Sequence, residues 1–378
     1  MGRVLLGLAT LCACGSPRLT PTPEPAREVV AEKAPASAVT AVTAGRFVIR
    51  GAEVLGHGVV DLEIEGGRVV AIGGASAQLP GVDLRGRFVA PAFVDSHVHL
   101  AYWPVGDELL DRGVATVVDL AAPLAWLDAP EVPPELRVIA SGPMITARRG
   151  YPTRGWGAGG YGREVGGPRE AEAAVDELHA HGAKIIKLPI TEAPVLAEDA
   201  LRAAVARAHG LSLKVVSHAL SDEEVRAAAA VGVDVLAHTP VEALSDAEAW
   251  RGRGVISTLA AFGGSRATLD NLRRLRAAGA VVLYGTDLGN TRDAGVSRDE
   301  IDLLVAAGLD GQAIVEAGTR APAAYWGLLD EAGCGPGAIC VGGPADLLVL
   351  QEDPRRSPGT LAEPEAVYIA GKRRAPPR

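Results

Sequence analysis

The sequence predicts an α/β fold, a (β/α)8 barrel with a small β-sandwich domain built from both ends of the chain. Short apolar strands alternate with helical segments through the middle of the chain, in about eight βα units, as a parallel barrel requires. Strand-and-turn patterns without helices occupy both flanks. Polar residues able to ligate metal recur where the apolar strands end, which is where such a barrel carries its function. A doubly wound open sheet is the alternative, but no glycine-rich phosphate loop follows an early strand.

In chain order, Arg3 and the short apolar run from Val4 to Ala13 read as a signal peptide over residues 1–13, too short to span a bilayer as a permanent helix. Leu11-Cys12-Ala13-Cys14 resembles a bacterial lipobox, which makes Cys14 the expected lipid acceptor. Residues 14–43 carry Pro17, Pro21, Pro23, Pro25 and Pro35 among Thr, Glu and Ala, the composition of an extended tether. The expectation is an exported protein, lipid-anchored to the cell envelope and touching the membrane through that anchor alone. Cys334 and Cys340 can close a small disulfide loop in an oxidising compartment.

The sandwich is expected from residues 44–90 and 337–374. Phe47 to Ile49, Val59 to Ile64 and Arg68 to Ile72 are strand-like, with Glu65-Gly66-Gly67 as a hairpin turn. Asp346 to Leu350 and Ala366 to Ile369 look the same. The barrel is expected from residues 91–336. Its strands are read at Phe93–Asp95, Ala115–Asp119, Arg137–Ala140, Lys184–Leu188, Lys214–Ser217, Asp234–Ala237, Val255–Leu259 and Ala280–Tyr284. Its clearest helices are Arg169–His181, Ala197–His209, Asp222–Val231 and Ala267–Ala278, with Gly182, Gly210, Gly232 and Gly279 as C-terminal signals.

The chain is 378 residues long with 48% hydrophobic but only 4% aromatic residues, so its core is built from Ala, Val, Leu and Ile. A net charge of -9 and no basic stripe argue against nucleic-acid binding. A homo-oligomer is compatible with the sequence.

The chemistry sits at strand ends. Pro91-Ala-Phe-Val-Asp-Ser-His-Val-His-Leu100 places His97 and His99 on one face of a strand, because alternate residues share a face. Lys187, His218, His238 and Asp287 close later strands, so that several nitrogens, an acid and a lysine converge on one mouth. His179 and His181 repeat the spacing on a helix, where they diverge, and His209 and His57 lie away from the site.

These motifs make the chain resemble the metal-dependent amidohydrolase superfamily over nearly all of Arg46 to Arg373. Pro91 to Leu100 is similar to its first-strand motif, and Pro344-Ala-Asp-Leu-Leu-Val-Leu350 looks like its returning sandwich strand. Within it the chain looks most like the zinc-dependent prolidase and imidazolonepropionase-related group. The resemblance implies two divalent metals, zinc by expectation. His97, His99 and Asp287 would hold one, His218 and His238 the other, with Lys187 carboxylated on Nζ to bridge them. It implies that a metal-bridging hydroxide hydrolyses a C–N bond, with Asp287 and His238 as catalytic residues. Lys187 favours a binuclear hydrolase over mononuclear deaminases.

The segment from Gly142 to Gly167 reads as a loop overhanging the site. It offers Arg148, Tyr151, Arg154 and Tyr161 as substrate-binding residues, with Arg149, Trp156 and Arg163 beside them. A small peptide or N-acyl amino acid is the expected substrate class. The alternatives are a cyclic-amide hydrolase, lactonase or deaminase of the same superfamily, or a non-catalytic metal-binding lipoprotein.

Overall fold

The computed structural model describes residues 45–374. The leader, Cys14 and the tether lie outside the described residues. No helix among the described residues is long and apolar enough to cross a membrane.

The first strands are β1 (Phe47–Val54), β2 (Gly58–Glu65) and β3 (Arg68–Ile72), an antiparallel meander. Its second turn uses Gly66 and Gly67 at φ 57° and 80°, left-handed values that a side chain would strain. Strands β4 (Gly81–Asp83) and β5 (Phe88–Pro91) then lie parallel to β1.

Next comes the alternating region. Strand β6 (Phe93–Val98) is buried at every residue, as is β7 (Val114–Asp119), the pattern of parallel strands covered on both faces. Helix α1 (Gly106–Asp111) lies between them, and α2 (Leu124–Asp128) leads to β8 (Arg137–Ala140). The expected loop from Gly142 to Gly167 contains a short parallel pair, β9 (Met144–Ala147) and β10 (Gly162–Val165), which pins its two ends together. Helix α3 (Pro168–Ala180) follows. Then β11 (Ile185–Pro189), β12 (Lys214–His218), β13 (Val235–Leu236), β14 (Gly254–Ile256) and β15 (Val281–Leu283) pair in sequence order, all parallel. Helices α4 (Glu198–Gly210), α5 (Asp222–Val231) and α6 (Arg266–Ala278) separate all but β13 and β14, between which lies a single 3-10 turn, Glu248–Trp250. Gly232 and Gly279 end their helices left-handed, as expected. Gly210 remains inside α4, and Ser212 takes the left-handed position instead, at φ 59°.

The parallel strands of β6–β8 and of β11–β15 meet at both seams. Lys184 N donates to Ala140 O at 3.0 Å, and Ser96 N donates to Tyr284 O at 2.8 Å. Val118, Ile139, Ile185, Val216, Val235, Ile256 and Leu283, one side chain from each of β7, β8 and β11 to β15, pack into one cluster. A second, larger cluster joins the other strand faces to the helices.

The chain ends with α7 (Arg298–Ala306), α8 (Gly311–Gly318) and α9 (Arg320–Tyr325), then β16 (Leu347–Leu350), β17 (Ala366–Ile369) and β18 (Lys372–Arg373). Strand β16 pairs antiparallel with β5, so strands from both ends share one sheet, ordered β18-β17-β16-β5-β1-β2-β3. Alternation along these strands serves two cores at once. Leu348, Leu350, Val367 and Ile369 enter the large cluster, whereas Leu347, Val349, Ala366 and Tyr368 pack with Phe47, Ile49 and Leu62. Cys334 and Cys340 are disulfide-bonded, with Cα atoms 5.7 Å apart.

Candidate metal centre

His97 belongs to β6, and the turn after it carries His99. Both are buried, and their Nε2 atoms lie 3.2 Å apart. Each Nε2 is also near Asp287 Oδ1, at 3.3 Å from His97 and 3.2 Å from His99. The ligand atoms of these three residues lie within 4.8 Å of one another. His97 Nδ1 donates to Ala237 O at 2.9 Å, which leaves its Nε2 lone pair facing the group. The His97 lone pair, His99 Nε2 and a carboxylate oxygen thus converge in a dry site, a donor set that fits a divalent metal.

The other two strand-end histidines form a second pair. His238 Nε2 and His218 Nδ1 face each other at 3.0 Å, and His238 Nδ1 is held by Thr258 Oγ1 at 3.0 Å. The rings of His97 and His238 lie 4.6 Å apart, so the two pairs adjoin. Lys187, in β11, is fully buried, and its Nζ has no hydrogen-bond partner among the described residues. Its charge is felt by His97, His218 and His238. Burial of a bare ammonium is costly, and it pulls the Lys187 amine down to about 7 despite Asp287 and Asp119.

Burial also lowers the histidines, with His218 brought to about 4 and His97 and His238 well below the usual imidazole value. All three are therefore neutral near pH 7, the ligating form. Burial opposes the charge on Asp287, but His97, His99 and Asn290 outweigh it and hold the carboxyl well below its usual range. Asn290 Nδ2 donates to both carboxylate oxygens, at 3.1 and 3.0 Å.

The supporting residues were not evident from the sequence. Asp95 Oδ1 accepts from the backbone N–H of His97 at 3.0 Å and of Thr286 at 3.1 Å, and Oδ2 accepts from the Thr286 hydroxyl at 2.6 Å. It thus locks β6 to the turn that carries Asp287. Burial pushes the Asp95 carboxyl up to about 7. Thr258 and Asp287 have φ of 39° and 55°, strained values that rarely persist without a use. The Asp-Ser-His spelling hints at the first of these roles; nothing in sequence periodicity reveals Thr258.

Of the expected substrate-binding residues, Tyr151 and Tyr161 reach the centre's surroundings. The Tyr151 ring lies 5.1 Å from His218, and its hydroxyl accepts from Trp156 Nε1 at 2.9 Å. Trp156 in turn lies 5.2 Å from the His99 ring and 5.4 Å from Tyr161. Arg148 is exposed and ion-paired with Glu170 at 3.2 Å, and Arg154 is exposed on the same loop. His181 pairs with Asp128, His209 with Asp234, and His57 bonds Ile339 O, all apart from the centre.

Comparison with known proteins agrees with this architecture. Residues 88–374 match the family described as Amidohydrolase family. An uncharacterized protein of Mycobacterium tuberculosis is 26% identical, over 86% of this chain and 95% of its own. The crystal structure of a Xaa-Pro dipeptidase with bound methionine superposes with a TM-score of 0.73 at 20% identity, covering 87% of this chain and 100% of that one. Molinate hydrolase superposes with a TM-score of 0.68 at 17% identity, covering 88% of this chain and 95% of that one. The chain therefore belongs to the amidohydrolase family, hydrolases that act on carbon–nitrogen bonds.

Proposed function

We propose that this chain is a binuclear metal-dependent amidohydrolase that cleaves the C–N bond of a small peptide or N-acyl amino acid. The observation that carries the reading is Lys187, a buried amine with no hydrogen-bond partner among the described residues, beside two adjoining pairs of histidines. Its neutral form can add carbon dioxide, releasing a proton and leaving an anionic carbamate. That would turn an unsatisfied group into an oxygen donor for two zinc ions, one held by His97, His99 and Asp287 and the other by His218 and His238. When bound, such a pair supplies Lewis acidity that lowers the pKa of water from about 15.7 toward 7 and polarises a carbonyl.

The chain's own residues do the rest. Asp287, kept ionised, accepts a proton from the attacking water and returns it to the leaving nitrogen as the C–O bond forms and the C–N bond breaks. His238, fixed by Thr258, keeps Nε2 toward the centre. Tyr151 receives its hydrogen bond from Trp156, so its own O–H is available to the carbonyl oxygen. The Xaa-Pro dipeptidase among the structural neighbours supports the peptide reading. We read the two parallel sheets as the (β/α)8 barrel expected over residues 91–336, a reading supported by the hydrogen bonds at both seams, and the single sheet shared by residues 44–90 and 337–374 as belonging to its expected β-sandwich domain.

Bound metal per chain, measured with and without bicarbonate in wild type and Lys187→Ala, tests the centre. About two metals in wild type, fewer in the variant, are expected; about one, indifferent to Lys187, would refute the binuclear reading. The disulfide supports export to an oxidising compartment, and attachment through Cys14 rests on the lipobox-like Leu11-Cys12-Ala13-Cys14 alone. Cys14→Ser should accordingly move the protein from the membrane to the soluble fraction, and unchanged partitioning would rule the anchor out.

A further inference from the structure

We propose that Arg292 binds a free carboxylate on the substrate, and that the substrate class is amides carrying a carboxylate next to an aromatic or apolar group. This rests on the hydrolase reading above and narrows it. The Arg292 guanidinium carbon lies 4.2 Å from the centre of the Trp103 ring and 5.6 Å from that of Tyr102. Both turns that build this contact grow out of the metal centre. Tyr102 N and Trp103 N donate to His99 O at 3.1 and 2.8 Å, while Asn290 N and Thr291 N donate to Asp287 O at 3.0 Å each.

The surface between is continuous. Tyr102 lies 5.8 Å from Trp156, and Trp156 lies 5.2 Å from His99, so aromatic rings lead from a metal-binding residue to the cation. A guanidinium resting on rings keeps its N–H edge open, and that edge matches a carboxylate with two parallel hydrogen bonds. Arg292 is exposed and has no ion pair among the described residues; its neighbour Asp293 is taken by Arg112 at 2.8 Å. In the overhanging loop, by contrast, Arg148 and Arg163 are spent on Glu170 and Glu177. In a chain of net charge -9, a cation at the mouth also offsets repulsion of an anionic substrate.

Benzoylglycine and benzoylglycinamide differ at the carboxylate alone and serve as probes. Their binding to the zinc-loaded full chain is read from tryptophan fluorescence in the first milliseconds, before turnover. The acid should bind about tenfold or more tightly than the amide, as charge-assisted hydrogen bonds to a fork warrant. Arg292→Ala should erase that preference by weakening the acid far more than the amide, with metal content retained, and Arg292→Lys should restore part of it. Equal binding of acid and amide in wild type, a preference that survives in Arg292→Ala, or binding of neither probe overturns the proposal. Metal content and amide hydrolysis in wild type are scored separately: a chain that holds metal and cleaves amides without preferring the acid retains the hydrolase reading and loses this one.

Discussion

At the residue scale, Lys187 makes a prediction that needs no substrate. Burial lowers its amine from 10.5 to about 7, so in that window the unfolded chain binds more protons than the folded one. The stability of metal-free protein in carbon-dioxide-free buffer should therefore gain a rising contribution as pH climbs from about 7 toward 10.5, while below 7 the burial penalty is fully present. Each unit of depression is worth roughly 1.4 kcal/mol at the low end of the window. Lys187→Met removes this dependence. Urea titrations at several pH values should show the variant's advantage over wild type shrinking as pH rises, and a constant difference would contradict the assignment. The candidate ligands themselves were legible in the sequence because His97, Lys187 and His218 lie in apolar strands, where a two-residue period fixes the face, and His99, His238 and Asp287 follow such strands within a few residues. Arg292, Asn290 and Thr258 were not, because they sit on irregular turns whose direction no periodicity encodes.

At the element scale, the turn after β12 shows how a helix start steadies a ligand. Ser221 caps α5 by accepting from Glu224 N, and Glu224 accepts in return from Ser221 N at 2.9 Å and Leu220 N at 2.7 Å. These backbone groups follow His218 directly, so the capping box also holds that histidine's strand end in place. Glu224→Ala should cost about 1 kcal/mol of stability, in the range of lost caps. It should also reduce bound metal, which distinguishes it from a cap elsewhere. Chemical denaturation and metal analysis of the one variant check both; full metal content would show that the cap is stabilising only. Long helices such as α5 and α6 were legible from apolar spacing and terminal glycines. The pair β9 and β10 was not, since Arg, Gly and Thr in those strands read as loop, and only the parallel pairing across the overhang reveals them.

At the scale of the whole molecule, the two flanks and the middle share their packing. Asp346 joins them: its backbone carbonyl accepts from Ala92 N at 2.9 Å, while its carboxylate pairs with Arg137 at 2.6 Å and accepts from Ala370 N at 2.7 Å. A chain starting at Ala92 would leave β16 without its partner β5 and expose Leu347, Val349 and Tyr368. It should be insoluble or lack a cooperative unfolding transition; a soluble chain with wild-type cooperativity would show that the middle folds alone. The α/β character of the fold was legible because alternation of strands and helices is a long-range signal that survives errors of a residue or two at each boundary. The sharing of β16 and β17 between two cores was not, because a run such as Leu347-Leu-Val-Leu350 is apolar on both faces and names no partner.

The pairing of β5 with β16 also has a consequence in time. During synthesis β1 to β5 emerge first, and the strand that completes their sheet follows only after the entire alternating region has been made. Loop closure over that distance is a late event, and topologies rich in such distant pairings fold slowly. Until then β5 presents an open edge, the kind of surface that recruits chaperones or pairs with another nascent chain. Strand β16, made late, is thus the one that brings β1 to β5 to rest.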